Sequence, residues 1–375
     1  MTTPRHPRVL ALVLAGGRGS RLGPLTEHRA KPALPVAGSH RLVDVVLSNL
    51  SHSGISDVWI VEQYLPHSLN DHLANGRPWD LDRTRGGLLV LPPFEGTDGE
   101  GFAEGNADAL ARQAELIADH SPDLVLVASA DHLYTLDFRD VVDTHLGRGA
   151  ALTMVTTTQA DDPSRHGVVE VEDGRVTGFA YKPEEPASDV VSAEVFLYDT
   201  AVLLETIETL VSSGAELADY GDSLVPHLLA HHLVVEHRLP GYWRDLGTVA
   251  GYHQAHRDLL DGRSIDLADE RWPVLTSATG SQPVRLEEPA EVRHSLLGGG
   301  AEVRGRVRDS VVGRGCRLEP GCLVEDSVLL DGVVVRPGVT VRHAVVDAGA
   351  VVEQDCLGEP DDILVVDREG RHRRD

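Results

Sequence analysis

The chain has 375 residues, with 34 Lys and Arg against 59 Asp and Glu, a formal net charge of −25 at pH 7. That balance removes the long-range attraction exerted by DNA, RNA or an anionic membrane, while a local basic pocket for a small anion stays open. Cys316, Cys322 and Cys356 fit neither a disulfide framework nor a compact zinc site, and the polar residues before Val9 lack the apolar core of a secretory signal, so a cytoplasmic location is expected.

This length exceeds what one core usually organises, so two domains are expected. Aromatic residues are only 4%, so Val, Leu and Ala must fill those cores. In chain order, residues 10–15, 58–61, 124–128, 151–156 and 195–198 read as strands. Residues 41–51, 107–118, 138–146 and 200–211 read as helices or their approaches. This alternation predicts an α/β layer with a mostly parallel sheet. Residues 168–176 look instead like an antiparallel hairpin turned by Asp173-Gly174.

Beyond residue 294 the grammar changes. Val312, Leu318, Val324 and Leu330 are spaced by six, and Val335 and Val341 restart the register after a slip. Turn pairs such as Pro320-Gly321, Asp331-Gly332 and Pro337-Gly338 recur between them. An inward aliphatic residue every six positions predicts a left-handed parallel β-helix of hexapeptide repeats. A plain β meander has no reason to keep that step. The expected division is 8–250 for the α/β domain, 251–290 for an interdomain linker and packing segment, 291–358 for the β-helix and 359–375 for a C-terminal segment with a charged, frayed tail.

The first strand empties into Gly16-Gly17-Arg18-Gly19-Ser20-Arg21, with Lys31-Pro32 shortly beyond. Glycines allow close backbone approach, N–H groups in such a turn wrap phosphates, and Arg18, Arg21 and Lys31 add positive charge. The loop is neither a Walker loop nor a dinucleotide fingerprint. Ligands of open α/β sheets bind at the carboxyl ends of the strands, where this loop falls. Asp131 follows the strand 124–128 and suits a Mg²⁺ ion held between phosphates. Asp245, in Tyr242-Trp243-Arg244-Asp245-Leu246-Gly247-Thr248, is the second candidate, its alternative being a helix cap. Lys31 has the alternative of a surface lysine, and His132 reads as structural rather than as a general base. Lys182-Pro183 follows a further strand and offers a cation to a second phosphate. Gly105-Asn106-Ala107-Asp108 enters a helix whose free N–H groups favour an anion or a base edge, with Asp108 alternatively a first-turn acid. His28, His227, His231, His232, His253 and His256 show no zinc spacing.

Together these segments resemble the sugar-phosphate nucleotidyltransferases, and among them the bacterial glucose-1-phosphate adenylyltransferases, or ADP-glucose pyrophosphorylases. The resemblance rests on residues 14–22, Arg29-Ala30-Lys31-Pro32-Ala33, Leu47-Ser48-Asn49, Gln63-Tyr64, Ala130-Asp131-His132-Leu133-Tyr134 and residues 242–248, in the family's order. It implies a Rossmann-like nucleotidyltransferase domain followed by the β-helix. It also implies conversion of ATP and α-D-glucose 1-phosphate to ADP-glucose and pyrophosphate, for glycogen or a related α-glucan. Catalytic roles fall to Arg21, Lys31 and Asp131, and Mg²⁺ to Asp131 with Asp245. The nucleotide falls to Leu14, Ala15, Gly16, Gly17, Gly19, Ser20, Arg21, Gly105 and Asp108. The sugar phosphate falls to Lys182, Ser192 and Asp219. The family is usually tetrameric, so a homotetramer or a hetero-oligomer with a paralogue is expected.

Departures cluster around the substrates. Leu91-Pro92-Pro93-Phe94-Glu95 replaces a glutamine-rich stretch of the family, and Phe102-Ala103-Glu104 precedes Gly105. Tyr181 stands where the family has a glutamate, Glu194 where it has a glycine, and His28 where many relatives carry an effector-binding lysine. These changes keep two alternatives open: a nucleotidyltransferase with altered base or sugar, and a catalytically weak regulatory paralogue. An acyltransferase would also use hexads but leaves the phosphate machinery unexplained.

Overall fold

In a computed structural model, described for residues 6–17, 19–93, 103, 105–159, 162–215, 217–277 and 282–373, the opening apolar run forms strand β1 (Val9–Ala15). All of its residues from Leu10 onward are buried, as in a strand covered on both faces. With β2 (Asp57–Glu62), β3 (Gly87–Leu91) and β4 (Leu124–Ser129) it makes a wholly parallel layer in the order β3-β2-β1-β4. Ala11, Val13, Val58 and Ile60 meet helix α1 (Leu42–His52) on one face. Leu10, Leu12, Val125 and Val127 meet α2 (Asn106–Ala111) and α3 (Thr200–Ser213) on the other. The single helix expected over 107–118 is two, because Arg112 and Gln113 form a turn before the next helix, Ala114–His120.

The other half of the sheet is mixed. After β5 (His132–Tyr134) come β6 (Leu152–Thr158), β7 (Gly167–Glu172), β8 (Arg175–Tyr181), β9 (Val190–Asp199), β10 (Val234–Arg238) and β11 (Trp243–Asp245). The nine-stranded order is β3-β2-β1-β4-β9-β6-β10-β8-β7. Strand β9 runs antiparallel to both β4 and β6, so the parallel character belongs to the half that carries the glycine loop. The hairpin is β7–β8, with Asp173 and Gly174 at φ 50° and 74°, the left-handed pair that a two-residue turn requires. Strands β5 and β11 lie outside the sheet as an antiparallel ribbon pairing His132 with Asp245.

The C-terminal part is a left-handed parallel β-helix with three sheet faces and coils of 17 residues where Leu318, Val335 and Val352 stack. Val312, Leu318, Val324, Leu329, Val335 and Val341 point inward. The slip in the six-residue step therefore falls between Val324 and Leu329, and Leu330, expected inside, turns outward to the α/β domain. Hydroxyls stack at one corner, Ser310 Oγ accepting from Ser327 N–H and Ser327 Oγ from Ala344 N–H. All three cysteines are buried in the coil core, where desolvation pushes the Cys322 and Cys356 thiols up to about 11. Parallel pairing extends from Arg285–Leu286 to Leu364–Val366, wider than residues 291–358. The charged tail, expected to fray, folds back as His372–Arg373 on Leu364–Val366, with Asp367 paired to Arg371 and Arg373.

One β-helix face packs directly on the α/β domain. Val311, Val328, Leu330 and Val345 share a core with Leu22, Leu25, Leu34 and Val36, and helix α4 (Val249–Leu260) adds Val249, Tyr252 and Ala255 to it. Among the described residues no helix is long and apolar enough to cross a membrane.

Candidate active site

Strand β1 stops at Ala15, and the chain turns through Gly16, Gly17 and Gly19 into a 3-10 turn, Ser20–Thr26. Gly19 has φ 65°, and Thr26 Oγ1 closes the loop by donating to Gly19 O at 2.9 Å. A side chain at Gly16 would place Cβ 2.8 Å from Gln63 Oε1, so the loop runs close beside the end of β2 and any larger residue there would have to push the Gln63 side chain aside. A second 3-10 turn, Lys31–Ala33, starts at Lys31 with Pro32 fixing its geometry, and Lys31 is buried.

The ribbon β5–β11 brings the two acids together from positions 131 and 245, with Leu246 N–H on Asp131 O at 3.4 Å. Lys31 Nζ lies 2.5 Å from Asp131 Oδ2 and 3.2 Å from Asp245 Oδ1. His132 Nε2 is 3.4 Å from Asp131 and 3.7 Å from Asp245, its Nδ1 buried without a partner among the described residues. Burial opposes charge on both Lys31 and Asp131. The carboxylates nevertheless raise Lys31 above the ordinary lysine range, and Lys31, His132 and Ser129 hold Asp131 well below the carboxylate range. Asp245 does not cap α4: Thr248 does, its Oγ1 accepting from Gly251 N–H at 3.1 Å.

One ligand atom from each of Asp131, His132 and Asp245 lies within 4.8 Å of the other two. Two carboxylates opening onto a phosphate-sized loop are the hard oxygen donors that Mg²⁺ takes alongside substrate phosphates, so the donor set fits that ion.

Around this cluster is a cavity of about 270 Å³ lined by Leu14, Ala15, Gly17, Gly19, Ser20, Arg21, Lys31, Asp131, Lys182 and Asp245, ten of the expected residues. A second cavity of about 270 Å³ adjoins it, sharing Leu14, Gly17 and Asn106. Gly16, Gly105 and Asp219 line this one, with Val61, Pro92, Pro93, Gln63 and Gln113. Asp219, expected beside the sugar phosphate, thus faces the other chamber, its Oδ1 accepting from Asn106 N–H at 3.3 Å. Asp108 lines neither, because the helix phase of α2 turns it to Arg112 at 2.9 Å. Ser192 is buried in β9, and its Oγ accepts from Glu194 N–H at 3.1 Å instead of facing the cavity. Lys182, at φ 48°, donates from Nζ to Tyr181 Oη at 2.7 Å. Arg18, Phe94, Glu95, Phe102 and Glu104 lie outside the described residues.

Several lining residues carry no sequence signal of their own. Arg165 and His166 reach the cavity from the turn before β7. The His166 ring lies 5.2 Å from that of Trp243, and burial lowers its affinity for a proton. His132, Asn106, Tyr181 and Glu194 also line the cavity, and each stood in a segment that the sequence had singled out.

The Nucleotidyl transferase family model matches residues 10–262, and the model described as GlmU-like, C-terminal hexapeptide matches residues 284–360. A glucose-1-phosphate adenylyltransferase of Thermotoga neapolitana is 36% identical over 315 residues, covering 83% of this chain and 74% of that protein. Its namesake in Thermomicrobium roseum is 39% identical over 299 residues, 79% of this chain and 70% of that protein. That of Clostridium acetobutylicum is 34% identical over 308 residues, 81% of each. With both domains matched in order, and with the phosphate loop, the cation and the paired acids meeting in one cavity, the chain belongs to the nucleotidyl transferase family, in the group of the glucose-1-phosphate adenylyltransferases.

Proposed function

We propose that the protein transfers the adenylyl group of ATP to α-D-glucose 1-phosphate, releasing pyrophosphate and ADP-glucose for α-glucan synthesis in the cytoplasm. The observation that carries this reading is the Lys31–Asp131–Asp245 cluster, which lines the glycine-loop cavity beside a second, adjoining one. The chamber with apolar Leu14, Val61, Pro92 and Pro93 takes the base, and Gln63 and Gln113 offer the amide groups that residues 91–95 lack. The chamber with Arg21, Lys31 and Lys182 takes the phosphates and the sugar.

In the reaction an oxygen of the sugar phosphate forms a bond to the α-phosphorus, and the bond from that phosphorus to the bridging oxygen of pyrophosphate breaks. Pyrophosphate leaves with the electron pair. A phosphate monoester is ionised at neutral pH, so no residue need remove a proton. The chain's contribution is alignment and charge. The glycine loop admits the triphosphate close to the backbone, exposed Arg21 meets its β- and γ-groups, and Lys31 offsets charge at the reacting centre. Lys182 holds the acceptor phosphate. Asp131 and Asp245 are the residues that would hold Mg²⁺, which when bound neutralises phosphate charge. Assembly as a homotetramer, or with a paralogue, is part of the same reading.

The test is pyrophosphate release with Mg²⁺ over a panel of nucleoside triphosphates and sugar 1-phosphates. Turnover is expected with ATP and glucose 1-phosphate. A preference for another pair, or none, would overturn the assignment. Asp131→Asn should lower kcat by ~100-fold or more, the scale of losing a preorganised charge at a reacting phosphate.

A further inference from the structure

Two non-glycine residues lining the cavity have left-handed backbones, Lys182 and Glu194, and Glu194 sits at a break in strand β9. Strand β9 pairs in register with β6 up to Ser192 and resumes at Val195, so Ala193 and Glu194 form a bulge. Glu194 has φ 53°, a left-handed conformation that is costly for a glutamate and natural for glycine. Ser192 Oγ pins the bulge by accepting Glu194 N–H. The effect is to re-aim a side chain that would otherwise follow the strand's alternation, and Glu194 lines the same cavity as Lys31, Asp131, Tyr181 and Lys182. Its amide has a partner, but among the described residues nothing donates to its carboxyl group. It is also outside the Asp131–His132–Asp245 group, so it is not a third member of the metal set.

A strained backbone that presents an unpartnered carboxylate to a phosphate pocket is at first sight unfavourable. The repulsion is real: burial raises the affinity of Glu194 for a proton, and Asp131 and Asp245 add to it against His132 and Lys31. The arrangement makes chemical sense if the occupant brings hydrogen-bond donors as well as a phosphate. A hexose 1-phosphate does so, with its anionic end for Lys182 and several hydroxyl donors on its ring. Resting on the reaction assigned above, we propose that Glu194 is the specificity-determining acceptor for the hydroxyls of the sugar phosphate, and that Ser192 acts only by positioning it. A hydrogen bond to a half-buried carboxylate in the pocket discriminates between substrates, because an analogue lacking the hydroxyl leaves the charge unpaired.

The experiment is steady-state kinetics of the full-length protein with ATP, glucose 1-phosphate and its 2-, 3-, 4- and 6-deoxy analogues, for wild type, Glu194→Ala and Glu194→Gly. The glycine variant relieves the left-handed backbone, so folding is preserved. Both variants should raise KM for glucose 1-phosphate by ~10- to 100-fold, with KM for ATP constant within about 2-fold. At least one deoxy analogue should lose about 10-fold in wild type and nothing more in the variants. An unchanged or lower KM for glucose 1-phosphate in the variants would overturn the proposal and make Glu194 an obstruction. So would deoxy penalties that persist in full. A wild type inactive with ATP and glucose 1-phosphate, yet active with another pair, would instead overturn the reaction assignment.

Discussion

Lys31 carries two opposed duties. Its ammonium neutralises Asp131 and Asp245, which would otherwise repel each other in a poorly solvated site, and it occupies the ground a divalent ion would share. Lys31→Met should therefore tighten Mg²⁺ binding to the unliganded protein by about 10-fold, because the competing cation is gone, while kcat falls by ~100-fold or more. Titration calorimetry with Mg²⁺ beside a pyrophosphate assay separates the two effects; weaker Mg²⁺ binding by the variant would refute the competition. At this scale the charged residues that the sequence singled out come together in one cavity. Arg21, Lys31, Asp131, Lys182 and Asp245 stand beside glycines, prolines and strand ends, and those neighbours announce where the side chains emerge. Ser192, Asp108 and Asp219 were misplaced for physical reasons that residue types do not reveal. A two-residue bulge beside it redirected the first, the phase of a short helix the second, and a bond to the N-terminus of α2 the third.

Among the elements, α4 shows how a helix with an evident apolar face acquires a partner that no periodicity names. Val249, Tyr252, His253 and His256 follow the 3-4 spacing of one buried stripe, and this helix, at the start of the segment expected to link and pack the domains, lies as a wedge between them. His256 is keyed in from both ring nitrogens: Nδ1–H donates to Tyr252 O at 2.8 Å, and Nε2 accepts from Ala37 N–H at 3.2 Å. Burial drives its pKa down from 6.5 to about 4. Above pH 6.5 the imidazole is neutral in both folded and unfolded chains, so it adds no pH dependence. As pH falls from 6.5 towards 4, the unfolded chain binds a proton that the native state refuses, and stability drops by up to about 3 kcal/mol. Burial lowers the proton affinity of His145, His237 and His253 as well, with the same sign. The thermal midpoint should accordingly fall between pH 7 and pH 4.5, and His256→Gln, which keeps a donor and an acceptor without titrating, should reduce the fall. Equal falls in both proteins would remove His256 from the account. The β-helix was legible because its step of six is a covalent spacing. The site of the slip was not, since Leu329 and Leu330 are chemically identical and only contact with the α/β domain decides which faces inward.

For the whole molecule, the decisive feature is that the boundary between the domains is itself a core. Aliphatic side chains from one β-helix face, from α4 and from the segment after the glycine loop fill it without an intervening polar layer. The chain crosses this boundary again through Arg29, whose Nη1 reaches Asp347 Oδ1 at 2.6 Å, with Asp347 only 1% exposed. Arg41–Asp331 and Arg257–Asp326 make two further crossings. Neither domain can unfold without exposing part of the other's apolar surface, so calorimetry should show a single transition for the full chain. Arg29→Ala should lower stability by about 3 kcal/mol, because it strands a buried carboxylate, with Arg368 3.9 Å away as a poor substitute. The double variant Arg29→Met, Asp347→Asn should recover most of that loss, since removing both charges avoids the unpaired one. Two resolved transitions in the wild type would show that the shared core does not couple the domains. An Arg29→Ala loss that the second substitution fails to repair would show that Arg29 acts through its bond to Leu25 O, and not through the ion pair. The residues between Gly19 and Lys31 belong both to the glycine loop and to this boundary, so the β-helix packs against the far end of that loop.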